Sequence, residues 1–197
     1  MPAAPPSAEA LPRAAEPKRP FRRVVEGLTR RVVVVRIVFG AVWAIDAFYK
    51  WRPGFVDDYA KEVGSAAQGQ PDTLRPWFHF WRHLVVQDPR FFAYATAVFE
   101  TLIALALLGG VARRAVYVLG AVWSLALWTV PEGFGGSFLP DATDVGTGIV
   151  YVLVFAALYS LETLTSNTWS LDRRIERRVS WWRAIAEPGG RVTGRPA

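Results

Sequence analysis

Carboxylates inside apolar sequence are the residues of this chain best suited to chemistry. Glu100 lies near the middle of the apolar run 91–109, FFAYATAVFETLIALALLG. In a membrane helix, a carboxylate at that depth costs about 2.5–3.5 kcal/mol on insertion scales, so it faces protein or is protonated. Such groups are functional by default. The sequence therefore favours a proton or ligand site at Glu100, and the alternative interpretation is a structural hydrogen bond to a neighbouring helix.

A second group of charges lies at the end of the first apolar run. Asp46 and Lys50 are four residues apart with the acid first, which is the favourable order for an ion pair on a helix. The alternative for Lys50 is a side chain that extends to the membrane interface. Arg36, near the start of the same run, is predicted to be an interfacial anchor.

The turn between the last two apolar runs is acidic and rich in glycine. It reads VPEGFGGSFLP, followed by DATDVG, and holds Glu132, Asp141 and Asp144. Thr143 or Asp141 fits a helix cap, and Asp144 fits the first turn of the last helix, where negative charge is favourable. Capping leaves Glu132 unexplained, which makes Glu132 a candidate site residue.

These side chains must be positioned by membrane helices. Apolar runs of about 18 residues or more are typical of membrane spans, and four are predicted here, at about residues 32–49, 91–109, 112–130 and 143–161. Because each span must satisfy its backbone internally, the expected fold is all-α, an integral membrane antiparallel four-helix bundle. In the first outer loop, aromatic residues around His79 and His83 predict an amphipathic surface helix over Pro71–Val86.

The basic residues predict how the chain is oriented and divided. They lie before the first span, in the turn GGVARR and after the fourth span, which places both termini in the cytoplasm. Residues 1–20, rich in Pro and Ala, are predicted to be a disordered cytoplasmic tail and not a secretory signal. Residues 21–165 form the four-span membrane domain, and residues 166–197 form a basic cytoplasmic tail.

Helical spacing predicts which faces of the spans pack together. The small or polar residues expected on these faces are Ala93, Ala97, Glu100 and Ala104 on the second span, Gly120 and Ser124 on the third, and Asp144, Gly148, Tyr151 and Phe155 on the fourth. With antiparallel spans, the charged residues that meet at the outer side are Asp46, Lys50, Glu132, Asp141 and Asp144, and Glu100 lies deeper. Trp43, Tyr151 and Phe155 supply apolar walls, so the predicted pocket suits a neutral ligand that forms hydrogen bonds, such as a quinone head group.

Composition excludes several other kinds of chemistry. The chain has no Cys, which rules out disulfides, iron–sulfur clusters and thiolate-bound metals. No predicted span contains His and Met1 is the only Met, so haem ligation in the membrane is disfavoured. Two histidines without a third ligand are a weak metal signal. No nucleic-acid or nucleotide-binding motif is present.

Three segments resemble the DoxX/DoxD family: RIVFGAVWAIDAFYKW, FETLIALALLGGVARR and VPEGFGGSFLPDATDVGTGIVYVLVFAALYSL. The last is similar to the DoxD-type subunit of thiosulfate:quinone oxidoreductase, and the resemblance covers about residues 30–165. It implies a small four-helix protein of the prokaryotic cytoplasmic membrane. For the DoxD branch it also implies electron transfer from thiosulfate to quinone together with a second subunit.

Two functional hypotheses follow. In the first, the chain is a quinone-interacting subunit of a redox complex, in which Glu100, Asp46 and Glu132 handle protons and Lys50 compensates their charge. In the second, it is a non-catalytic accessory subunit that anchors a larger respiratory assembly or a homo-oligomer, and its charges hold the helices together. A small-solute transporter is disfavoured because the four spans show no internal repeat.

Overall fold

The structure of the chain, a computed structural model, describes residues 19–139, 142–165 and 169–187, with side chains from residue 23 onward. The predicted disordered tail before residue 19, Asp141 and the ends of the predicted basic tail lie outside these ranges. Within them the chain is all-helical and contains no strand. The α-helices are α1 (Arg19–Lys50), α2 (Pro53–Ser65), α3 (Arg75–Gln87), α4 (Pro89–Gly109), α5 (Arg113–Thr129), α6 (Thr147–Thr163), α7 (Asp172–Glu176) and α8 (Arg183–Ala186).

Helices α1, α4, α5 and α6 correspond to the four predicted spans. By length and composition, α1 (from Arg23) and α4 are long and apolar enough to cross a membrane, and α6 is a shorter apolar helix. Helices α5 and α6 have 17 residues each. At 1.5 Å per residue each is about 25 Å long.

The four long helices pack as two pairs that meet along a common core. Helix α1 packs against α4 and α5 packs against α6, and smaller α1–α6 and α4–α5 contacts join the pairs. The predicted faces of α4 and α5 are confirmed, since Ala93, Ala97, Glu100, Ala104, Gly120 and Ser124 are all buried. A Cβ on Gly120 would lie 2.3 Å from the ring of Phe155, so only glycine lets this ring pack against α5.

At one end, hereafter the loop end, α2 and α3 form a layer over the long helices. Helix α2 was not predicted; it begins with Pro53 at its first position and buries Val56 and Val63, seven residues apart. Helix α3 confirms the predicted helix in this loop. The indole nitrogen of Trp77 fixes α3 to the end of α5 by donating to the carbonyl of Thr129 at 3.0 Å.

At the opposite end, hereafter the tail end, the chain after α6 folds back onto the turn between α4 and α5. The backbone N–H groups of Leu171 and Asp172 donate to the carbonyls of Gly109 and Gly110, at 3.0 and 3.2 Å. Helices α7 and α8 follow, and α8 contacts α5. Residues 169–187 are therefore packed against the helices, which the sequence did not indicate.

Candidate functional site

Glu100 is the centre of the candidate site. Its side chain is fully buried on the α4 face that packs against α1, and neither carboxylate oxygen has a hydrogen-bond partner. Buried polar groups in native proteins are nearly always hydrogen-bonded. Trp123 on the neighbouring helix α5 still acts on the Glu100 carboxylate as a donor, so a ligand site and a structural hydrogen bond to a neighbouring helix both stay predictions for Glu100.

Other buried polar groups without partners lie on the neighbouring helices. They include the indole N–H of Trp43 and the Nε of Arg36 on α1, and the indole N–H of Trp123 and the hydroxyl of Ser124 on α5. Trp123 lies beside the Glu100 carboxylate but outside hydrogen-bond geometry. The packed helices therefore hold several buried donors, besides the Glu100 carboxylate, that have no partner in hydrogen-bond geometry.

The charged side chains that act most strongly on Glu100 lie on α1. The field of Lys50 acts on Glu100 most strongly, followed by that of Asp46. The Lys50 ammonium and the Asp46 carboxylate are 3.9 Å apart, which confirms the predicted i,i+4 ion pair. Lys50 also lies 4.8 Å from the centre of the Phe55 ring. The ammonium is therefore held over the loop end of the site by an acid and an aromatic face.

Helix α2 covers the site at the loop end. The Tyr59 hydroxyl shares a 3.2 Å hydrogen bond with the hydroxyl of Thr96, one turn before Glu100 on α4. Burial raises the pKa of Tyr59, and the negative charges of Glu62 and Glu100 add to this effect. The Tyr59 hydroxyl is therefore neutral, and it can donate or accept a proton between Glu100 and the layer formed by α2 and α3. Sequence reasoning missed Tyr59 and Thr96, although Thr96 is spaced by four residues from Glu100.

Tyr151 on α6 joins the predicted residues from the other helix pair. Its ring lies 5.5 Å from that of Trp43 and 5.3 Å from that of Phe39, centre to centre. The charges of Asp46, Glu132 and Glu100 all act on its hydroxyl. The structure thus brings Trp43 of α1 and Tyr151 of α6 together in one aromatic cluster, and the charge of Glu100 on α4 acts on it.

Glu132 has a different role from the one expected. Its two carboxylate oxygens accept the backbone N–H of Gly148 at 3.1 and 2.9 Å, so Glu132 caps the N-terminus of α6. The sequence pattern did not predict Glu132 to be a helix cap, because Glu132 lies 16 residues before Gly148. The close approach depends on Gly146, where a Cβ would lie 2.8 Å from a Glu132 oxygen.

The predicted caps of the last helix are corrected accordingly. Helix α6 begins at Thr147, so Thr143 does not cap it and Asp144 is not in its first turn. Asp144 is exposed and accepts the N–H of Gly146 at 2.7 Å, which shapes the turn before the helix. The Asp144 side chain thus makes a local contact with the backbone and does not lie on the packed face of α6. That face is formed by Gly148, Tyr151 and Phe155.

A buried ionic network at the tail end was missed by sequence reasoning. Arg113 donates to Glu162 at 2.6 Å and to Asp172 at 3.0 Å, and the Tyr117 hydroxyl donates to Glu162 at 2.6 Å. All four side chains are buried. The only sequence signal was Glu162, a carboxylate directly after the last apolar run.

Arg36 belongs to the same end, and its assignment as an interfacial anchor is wrong. Its side chain is buried and donates to the carbonyl of Trp169 at 2.8 Å. The chain after α6 covers Arg36, so the side chain cannot extend to an interface. Charges of Glu162 and Asp172 compensate the buried guanidinium.

Among the residues that the structure describes, no group of three or more His, Asp or Glu is arranged to hold a metal ion. His83 contacts the Gln87 amide at 3.4 Å. His79 instead lines a surface cleft between α2 and α3.

Comparisons with known proteins give no relative for this chain. No protein-family model, no curated protein and no solved structure matches it.

Proposed function

We propose that this chain is a four-helix membrane subunit of a redox complex and that it binds a quinone head group beside Glu100. The observation that carries the proposal is the fully buried Glu100, whose two oxygens have no partner in hydrogen-bond geometry and lie beside the indole of Trp123. The resemblance to the DoxX/DoxD family agrees with this function and suggests thiosulfate as an electron source.

Location in a membrane is supported by the surface of the long helices. Each of the four exposes large apolar side chains, among them Val38, Ile45, Leu102, Leu105, Val122 and Leu153. Soluble monomers rarely expose contiguous apolar surface on this scale. The basic residues around the tail end support a cytoplasmic location for that end in a prokaryotic inner membrane, with the loop end outside.

The chemistry of the cluster suits a quinone. A quinone carbonyl accepts hydrogen bonds, which Trp43 and Trp123 can donate, and a quinol hydroxyl donates a hydrogen bond, which Glu100 can accept. Trp43 and Tyr151 offer aromatic surface to the ring. Reduction of a quinone to a quinol takes up two electrons and two protons; Glu100 is the proposed proton carrier, and Asp46 and Tyr59 connect it to the loop end.

The electrons must come from another subunit. The chain has no Cys to hold an iron–sulfur cluster and no nucleotide-binding motif. We therefore assign to this chain the binding of quinone and the movement of protons, and to a partner the redox centre. Lys50 balances the charge of the site when Glu100 and Asp46 are both ionised.

Photolabelling tests the proposal. Wild-type protein in nanodiscs is irradiated with an azido-benzoquinone and, separately, an azido-naphthoquinone, and the labelled peptides are mapped by mass spectrometry. We expect label on peptides of α1 and α4 near Trp43 and Glu100, and we expect excess unlabelled quinone to remove it. Glu100→Gln and Trp43→Phe should each reduce this label, whereas Asp57→Asn, an exposed acid on α2, should not.

Thermal stability separates this function from a structural one. Glu100 has no hydrogen bond to lose, so Glu100→Gln should not lower the melting temperature, and removal of a buried charge should raise it slightly. If neither quinone labels the site, or if Glu100→Gln is labelled like the wild type, the quinone proposal is refuted.

The accessory role is the second candidate, and the tail-end network favours it. Arg113 forms ion pairs with both Glu162 and Asp172, and these pairs bind the segment after α6 to the helices. Such a rigid basic end suits a subunit that anchors a larger membrane assembly or pairs with its own copy. Co-purification in mild detergent distinguishes the two roles: an accessory subunit keeps its partners in the Glu100→Gln variant and retains no quinone in the wild type.

A further inference from the structure

The loop end contains a basic cleft that the quinone site does not use. It lies between the end of α2 and α3 and has a volume of about 350 Å³. Three of its lining residues, Arg75, His79 and Arg82, lie four and seven residues apart and therefore share one face of α3. Cationic groups are thus concentrated on one wall of a concave site.

The other residues that line the cleft are not acidic. Gln68 offers an amide from the α2 side, and the buried ring of Phe78 forms an apolar wall. Asp72, which does not line the cleft, pairs with Arg75 at 2.8 Å. Arg82 has no acidic partner among the described residues. The cleft therefore retains a net positive charge that an anion can neutralise.

We propose that this cleft binds a phosphate-type oxyanion, held by Arg82 and Arg75 with a hydrogen bond from the Gln68 amide. Guanidinium groups bind such oxygens through paired, charge-assisted hydrogen bonds. The apolar wall at Phe78 accommodates whatever carbon part the anion carries. The site is separate from Glu100, and its occupation does not depend on the quinone proposal.

The phosphate can belong to a lipid head group or be free in solution. Exposed aromatic side chains of α3, Trp77 and Phe80, are of the kind that collects at the membrane interface. This places the cleft at head-group depth if the long helices span the membrane. Both sources share the same chemistry at the arginines, and experiment distinguishes them.

Binding is measured with two probes. Inorganic phosphate is titrated by calorimetry into protein in a zwitterionic detergent, and a spin-labelled phosphatidic acid is titrated into protein in phosphatidylcholine nanodiscs. At least one probe should bind in a salt-dependent manner. Phosphate alone identifies a soluble oxyanion, and the lipid alone or both probes together identify a head group. Failure of both probes to bind overturns the proposal.

The matched variants identify the site. Arg82→Gln should weaken binding by about tenfold or more, because one charge-assisted contact is lost. Asp72→Asn should tighten binding several-fold, because it releases Arg75, and a gain of this kind cannot result from misfolding. Arg173→Gln removes the same charge from the exposed surface of α7 and should have no effect. Equal affinities in wild type and Arg82→Gln, or an equal loss in Arg173→Gln, would overturn the proposal.

Discussion

Substitution of Asp172 by Asn tests whether the tail end is held together by the buried ionic network. Asp172 is fully buried, and each of its oxygens accepts two hydrogen bonds. One oxygen accepts from the N–H of Ala112 at 2.7 Å and the indole of Trp182 at 2.7 Å. The other accepts from the backbone and the side chain of Arg113, at 3.3 and 3.0 Å. All its partners are donors, so a carboxylate satisfies the position and an amide does not.

The magnitude follows from these contacts. Asn has one oxygen and one NH₂ group, so the NH₂ must face two N–H donors wherever the amide is turned. Removing one partner from a buried ion pair costs about 3–5 kcal/mol, and Arg113 keeps Glu162 as its second partner. We expect Asp172→Asn to lower the free energy of unfolding by about 3 kcal/mol, at the lower end of that range.

The assay is reversible unfolding in mixed micelles, followed by tryptophan fluorescence because Trp182 is a direct partner of Asp172. The double variant Arg113→Gln, Asp172→Asn should lose much less than the sum of the single variants, since the same pair is broken once. A loss below about 1 kcal/mol for Asp172→Asn, the size of a surface pair, would refute the network as the source of stability. Additive losses would refute the coupling.

Three further predictions concern single sites. Glu132→Ala should lower the free energy of unfolding by about 1 kcal/mol through loss of the cap on Gly148, and Glu132→Gln should lose less, as measured by the same assay. Gly110→Ala should be strongly destabilising, because Gly110 has φ 62° and a Cβ there would overlap the Arg36 guanidinium; a melting temperature equal to that of wild type would contradict the described contact. Burial raises the pKa of Glu176 above 4.5. The contribution of the protonated Glu176 side chain to stability is therefore fully present below pH 4.5, and it is lost as the pH rises through the folded-state pKa. Glu176→Gln should therefore raise the melting temperature at neutral pH and leave it unchanged below pH 4.5, and an equal gain at both pH values would count against titration of this group.

Carboxylates that are distant in sequence cap two of the long helices, one at each end of the molecule. Glu132 accepts from the start of α6 at the loop end, and Asp172 accepts from the start of α5 at the tail end. Each of these two carboxylates also joins a helix to a turn whose backbone would otherwise be exposed. Unlike these two, Glu100 caps nothing and has no partner, which is why it is the carboxylate to which we assign a ligand.

Spacing and composition predicted the part of the site that lies on regular helices. The long apolar runs located α1, α4, α5 and α6 to within a few residues, except that α1 extends back to Arg19. The four-residue spacing of Asp46 and Lys50 predicted an ion pair, and the alternating four- and three-residue spacing of Ala93, Ala97, Glu100 and Ala104 predicted a packed face. Both are local consequences of helical periodicity, which a sequence carries directly.

The irregular segments were not predicted in the same way. The role of Glu132 depends on a turn in which Phe134, Gly135 and Gly136 have positive φ. That geometry brings the carboxylate to Gly148, and no local pattern encodes it. Helix α2 was missed because only two of its residues, Val56 and Val63, are buried. Its apolar signal is therefore too sparse to distinguish it from a polar loop.

The sequence by itself determined that four apolar helices form, that one carries a carboxylate at its middle, and that charges collect at their ends. Only the tertiary structure decided which charges are satisfied. Arg36, Arg113, Glu162 and Asp172 are compensated at the tail end, and Glu132 is compensated by a helix terminus. Glu100 remains without a partner. The physical reason is that a hydrogen bond requires a donor within about 3 Å, and for residues far apart in the chain that distance is set by helix packing and turn geometry.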